Sequence, residues 1–263
     1  MDLKLQGKSV IVAAGSKGLG KATALEYASE GAKVVISSRN EEELAKTVAE
    51  IKEVTGNEDV RYQVCDITNA DQIKLLVHNT VTWHGTVDVL INNAGGPPAG
   101  GFDKFTDEDW QKAYELNLLS FIRLIREVLP YMRKNGEGKI VNLASSSIKQ
   151  TLDNLILSNT FRAGIVGLAK SLSQELAKDN IMINTVGPGR IATDRVASLD
   201  EIRGSKLGLS AEEVREQTEK TIPIGRYGKP EEFAKMVVFL GSGANTYITG
   251  QSLVVDGGLV KAL

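Results

Sequence analysis

Near the amino terminus runs Ser9-Val10-Ile11-Val12-Ala13-Ala14-Gly15-Ser16-Lys17-Gly18-Leu19-Gly20, a short apolar run that ends in three closely spaced glycines. The run reads as a buried strand, and apolar residues with helical spacing follow it over 19–30. Glycines at a strand-to-helix turn bring backbone N–H groups close to a diphosphate at the positive end of the helix. The spacing is not G-x-G-x-x-G, so the turn alone leaves phosphate binding and a plain tight turn both open.

Outward from this turn, Lys33-Val34-Val35-Ile36-Ser37 repeats the strand pattern and precedes a charged amphipathic helix over 41–54. Further strands are predicted over 60–64, 87–91, 139–143, 182–186 and 252–255, with helices over 70–83, 107–134, 158–177 and 231–240. Near-continuous β-branched runs are what strands covered on both faces require. Strand–helix alternation along the whole chain predicts an α/β fold, a doubly wound parallel sheet with helices on both faces. No Pro/Gly/Ser linker divides residues 1–263, which read as a single domain. Residues 191–224 are polar and irregular apart from a short helix over 210–220, opened by Ser210-Ala211-Glu212-Glu213, and read as a substrate lid.

Composition sets the outer limits. A chain of 263 residues with net charge −2 and pI about 5.9 is ordinary for a globular protein. It is not built to coat nucleic acid or anionic lipid, so neither nucleic acid nor membrane is an expected partner. One cysteine, Cys65, rules out an internal disulfide and a cysteine zinc cluster, and with only His78 and His84 no metal site is expected. Neither a signal peptide nor an apolar run of ~18–20 residues is present, and a cytoplasmic setting is the expectation.

The second strand ends in Ser37-Ser38-Arg39-Asn40, without the acid that commonly holds the ribose 2′-hydroxyl of NAD. Arg39, with Lys17 inside the glycine turn, offers two cations to a 2′-phosphate. NADP(H) is therefore expected in preference to NAD(H).

Later motifs add a family. They are Asn92-Asn93-Ala94-Gly95, Glu115-Leu116-Asn117-Leu118, Ile140-Val141-Asn142-Leu143-Ala144-Ser145, and Asn184-Thr185-Val186-Gly187-Pro188-Gly189 with Ile191 and Thr193. Ile222-Pro223-Ile224-Gly225-Arg226, Ile248-Thr249-Gly250-Gln251 and Asp256-Gly257-Gly258 follow in order. Over essentially its full length the chain resembles a short-chain dehydrogenase/reductase, and 3-oxoacyl-acyl carrier protein reductases in particular. The resemblance implies a Rossmann-type domain with a nicotinamide cofactor held by Gly15, Ser16, Lys17, Gly18, Leu19 and Gly20. It further implies that Arg39, Asp66, Ile67, Asn93, Ala94, Gly95, Pro188, Gly189, Ile191 and Thr193 border that cofactor. Asp66 would cap the adenine and Thr193 would hold the carboxamide. The family pattern T-G-x-x-x-G-x-G is broken, since Ala13 and Ala14 stand at its Thr and first Gly.

The family's chemistry rests on Asn, Ser, Tyr and Lys. Asn117 and Ser145 match, but the Tyr position is Ser158 and the Lys position is Arg162. An aliphatic hydroxyl starts well above the ~10 of a phenol, and a guanidinium is a poor proton carrier. Arg162 can still hold a ribose. Lys149, in the loop after Ser145, is an alternative proton donor if burial lowers its pKa. The catalytic candidates are thus Asn117, Ser145, Ser158, Arg162 and Lys149. The expected function is reduction of a small-molecule carbonyl, 3-oxoacyl-type or another ketone or enone, by hydride transfer with a proton donor other than Tyr. The alternative is an NADP-binding protein with little or no catalysis, a sensor or structural partner. The resemblance also implies a homotetramer or homodimer through the helices over 107–134 and 158–177. Arg190 and Arg195 flank Thr193 and read either as solvated lid charges or as attractors of an anionic substrate, and the loop over 95–102 reads either as a connector or as a wall of the substrate pocket with Phe102 packed on it.

Overall fold

A computed structural model describes residues 1–262. Seven parallel strands form one sheet in the order β3-β2-β1-β4-β5-β6-β7. In chain order these are β1 (Ser9–Val12), β2 (Lys33–Ser38), β3 (Val60–Val64), β4 (Val89–Asn92), β5 (Gly138–Leu143), β6 (Ile181–Pro188) and β7 (Ser252–Val255). Alternate residues of a strand face opposite sides, and β1 shows the result. Val10 and Val12 join one buried cluster with Tyr27 and Phe233, while Ile11 joins another with Phe121 and Leu124. Each such side chain contributes roughly 1.5–3 kcal/mol on burial.

The first cluster is covered by α1 (Gly18–Ser29), α2 (Glu41–Thr55) and α9 (Pro230–Leu240), the second by α3 (Ala70–His84), α5 (Ser120–Asn135) and α6 (Ile156–Glu175). Local chemistry sets the helix ends. Asn40 and Asn69 accept first-turn N–H groups of α2 and α3, and Thr106 with Asp109 forms a capping box on α4 (Asp107–Tyr114).

Two features differ from the expectation. The helix predicted over 107–134 is interrupted by a π-helical segment, Glu115–Leu119, between α4 and α5. The region 191–224 is not irregular, because α7 (Asp194–Leu207) precedes α8 (Ala211–Glu219). Helix α7 buries only Asp200 and Gly204, so it carries no apolar stripe to announce it.

Strand order reverses between β1 and β4, so the loops leaving their carboxyl ends diverge and open a crevice. Glycine turn, Asn93 to Gly95 and Ser145 all lie on that side. Among the described residues no helix is long and apolar enough to cross a membrane.

Candidate active site

The turn between β1 and α1 is held from beneath. Asn93 donates from Nδ2 to the Ala14 carbonyl (3.2 Å), and the Gly15 N–H donates to the Ser37 carbonyl (2.9 Å). Ala14 is left-handed at φ +47°, a strained setting for a residue with a Cβ. Gly15 and Gly20 are required by space: a Cβ on Gly15 would press on Ile36, and one on Gly20 would overlap the Ala14 carbonyl oxygen. Lys17, the N-cap of α1, gives no side-chain hydrogen bond to the helix, which leaves first-turn N–H groups for an anion. Thr193 comes within van der Waals range of the turn, 3.7 Å from where a Gly18 Cβ would sit. An open helix terminus in a glycine cradle, with Thr193 across from it, fits a dinucleotide diphosphate.

At the end of β2 the two expected cations separate. Lys17 is paired with Glu43 (3.0 Å), because α2 opens with Glu41, Glu42 and Glu43 beside the turn. It is not a free cation for a 2′-phosphate. Arg39 is exposed, and among the described residues it has no carboxylate within ion-pair distance. Asp66 lies close enough to Arg39 to feel its charge. Burial pushes the Asp66 carboxyl up, but two hydrogen bonds from Thr68 (2.9 Å from N–H, 2.8 Å from hydroxyl) and the Arg39 charge leave it net lowered and ionised. Ile67 and Ala94 are buried beside this edge, while Gly95 is exposed.

The chemical end is built on the π segment and on β5. The widened turn buries Asn117 completely: Nδ2 donates to the Ala113 carbonyl (3.3 Å) and Oδ1 has no partner. Segments of this type recur at functional sites. Ser145 is extended at φ −161° and its Oγ accepts the Ser147 N–H (3.2 Å), which leaves the hydroxyl proton to donate to a ligand oxygen. Gly187 permits that position, because a Cβ there would overlap the Ser145 carbonyl. Nothing in the sequence marked Gly187 as a support for Ser145, since the contact spans two strands.

Ser158 and Arg162 lie one turn apart on α6, both buried. Arg162 is 3 % exposed; Nη1 donates to the Leu143 carbonyl (2.8 Å) and Nη2 to the Ala94 carbonyl (3.4 Å). Its guanidinium stands 5.9 Å over the Phe121 ring, and burial pushes its pKa down to about 10. No carboxylate pairs with it among the described residues, so a positive charge sits under the ends of β4 and β5. Asn159 clamps the preceding loop, accepting from the Leu152 N–H (3.1 Å) and donating to its carbonyl (2.9 Å).

Other expectations are corrected. Lys149 is exposed, so the burial that its proton-donor role required is missing. Phe102 is 69 % exposed and packs on Trp110 (6.4 Å between centroids) rather than walling a pocket. Arg190 is paired with buried Asp200 (3.4 Å), which also accepts from the Tyr227 hydroxyl (2.9 Å). A cavity of about 320 Å³ opens beside this cluster, lined by Thr193, Val196, Glu212 and Arg215 among others, and not beside Ser145. Asp200→Ala strands Arg190 and Tyr227, and urea denaturation is expected to read a loss of about 2–4 kcal/mol.

The seven-stranded parallel sheet, with its glycine turn beside the reversal of strand order, defines an α/β domain of the Rossmann type. Residues 13–260 match the family model described as enoyl-(acyl carrier protein) reductase. The chain belongs to the short-chain dehydrogenase/reductase family. The 3-oxoacyl-[acyl-carrier-protein] reductase of Thermotoga maritima is 36% identical over 98% of this chain and 100% of its own. L-sorbose reductase from Gluconobacter frateurii, solved with NADPH and L-sorbose, superposes with TM-score 0.94 at 31% identity, covering 100% of both chains. A 7α-hydroxysteroid dehydrogenase solved with NADH and 7-oxo glycochenodeoxycholic acid gives TM-score 0.89 at 33% identity, covering 100% of this chain and 98% of that one.

Proposed function

We propose that this protein is an NADPH-dependent reductase acting on the carbonyl of a small molecule, of 3-oxoacyl type or another ketone or enone, with a proton donor other than Tyr. The observation that carries this reading is the Ser145 hydroxyl, free to donate, in the same crevice as the open amino terminus of α1. The nicotinamide cofactor supplies the hydride when bound. Gly15, Ser16, Gly18, Leu19 and Gly20 approach its diphosphate, Arg39 meets the 2′-phosphate, and Asp66 with Ile67 borders the adenine. Asn93, Ala94, Gly95, Pro188, Gly189, Ile191 and Thr193 line the nicotinamide half, above the Arg162 charge. Ser145 polarises the substrate carbonyl, and Asn117 orders the floor of the site. Residues 191–224, as α7 and α8, act as the substrate lid. The sorbose reductase with NADPH supports the cofactor choice, and the steroid dehydrogenase with NADH makes NADH the comparison to run. Assembly as a homotetramer or homodimer in the cytoplasm completes the reading.

Loss of one donor to a developing oxyanion costs roughly 10²–10³ in kcat, and Ser145→Ala is expected to fall in that range when NADPH oxidation is followed. Lys149→Ala, at an exposed side chain, is expected to stay within about twofold of wild type, whereas a general acid would cost ~10²–10⁴. Ser158 and Arg162, where the resemblance implies Tyr and Lys, are the ground for a second reading, NADP binding without turnover. Tight NADPH binding with no oxidation across ketones, enones and 3-oxoacyl thioesters would establish that reading instead.

A further inference from the structure

We propose that Arg195 is a specificity-determining residue that selects substrates carrying a carboxylate, which narrows the substrate class to a keto acid; this rests on the reductase reading above. Arg195 occupies the first turn of α7, two residues after Thr193, and is exposed. From there its Nη2 donates to the Pro97 carbonyl (3.0 Å), and its guanidinium lies 3.5 Å from where a Gly96 Cβ would sit. Arg195 therefore ties the lid to the loop leaving β4, at the carboxyl end of the sheet where Ser145 follows β5. A single bond to a neutral carbonyl leaves the other guanidinium donors free, and among the described residues no carboxylate lies within ion-pair distance.

Charge around it points the same way. Arg190, the other lid cation near Thr193, is neutralised by Asp200. Arg162 lies buried below without a counter-charge, and Lys149 is exposed on the loop after Ser145. Against the three cations Arg195, Arg162 and Lys149 stand Asp153 and Asp194, both exposed as Arg195 and Lys149 are, which leaves one net positive charge. A planar guanidinium fork with free donors, in a mouth of net positive charge, matches a carboxylate in shape and sign.

The test compares 4-oxopentanoate with its methyl ester, which differ in charge at nearly constant shape. Wild type is expected to favour the acid by roughly 10–100-fold in kcat/KM, mainly through KM. Arg195→Met is expected to bring the ratio near one, Arg195→Lys to restore part of it, and Lys235→Ala, at an exposed lysine on α9, to leave it as in wild type. Saturation-transfer NMR of the same two compounds on the NADP⁺-loaded and free protein reads binding without turnover. Absence of ketone reduction with an intact acid preference in NMR would refute the reductase reading while supporting Arg195. Equal binding of acid and ester, or a preference that survives Arg195→Met, overturns the proposal.

Discussion

Gly20→Ala is expected to weaken NADPH binding by more than ~100-fold, about 3 kcal/mol. The added methyl would overlap the Ala14 carbonyl oxygen, and it would come within 2.8 Å of Asn93 Nδ2 and 3.0 Å of the Gly15 Cα. None of these is a flexible tip that can step aside: two are backbone, and Asn93 is already committed to the Ala14 carbonyl. The turn must open, and with it the N–H groups at the start of α1. Thermal unfolding is expected to fall as well, since Gly20 is buried against β1. Gly167→Ala is the matched control. That glycine is exposed on α6 with nothing within 4 Å of a Cβ, and alanine there is expected to leave NADPH binding unchanged. Unchanged fluorescence titration of Gly20→Ala with NADPH would remove the glycine turn from the cofactor site.

The second large effect is expected at Arg162, where binding and stability should part company. Burial lowers its pKa to about 10, so the folded protein holds this charge at a cost. Arg162→Met removes that cost and loses two hydrogen bonds to the Leu143 and Ala94 carbonyls, about 1–2 kcal/mol each. The two oppose each other, so urea denaturation of the free protein is expected to read a smaller loss than two buried hydrogen bonds alone would give. NADPH affinity is expected to fall roughly 10–100-fold, because a charge left uncompensated in the free protein is what an anionic nucleotide offsets. The pH dependence has a defined sign. The unfolded Arg holds its proton more tightly than the folded one, so the penalty is full below pH 10 and fades as the pH rises above it. Wild type should therefore gain on the Met variant as the pH rises past 10. A variant that binds NADPH as tightly as wild type would detach this cation from the nucleotide.

The fold was readable because its strands are apolar on both faces. Val10-Ile11-Val12 and Val34-Val35-Ile36 cannot be half-solvated, and a sheet covered on both sides follows from them. Asn117 and Ser145 were readable as motif positions, but the π segment that buries Asn117 was not, since a one-residue shift in hydrogen bonding leaves no mark on composition. Helix α7 was missed because its buried positions are Asp200 and Gly204, an acid and a glycine in place of an apolar stripe. The fate of the basic residues was equally hidden. Whether Lys17 meets Glu43, Arg190 meets Asp200 or Lys149 meets only solvent depends on how separate segments pack, and charge in a sequence does not carry that information.

The central claim is that a dinucleotide lies across the crevice, its diphosphate on the amino terminus of α1 and its nicotinamide beside Ser145. Titration calorimetry with NADPH, followed by NADH, measures this without needing a substrate. One NADPH per chain is expected to bind, with NADH roughly tenfold or more weaker for want of a 2′-phosphate at Arg39. Absence of binding heat from both nucleotides, on protein whose unfolding transition shows it to be folded, would contradict the account.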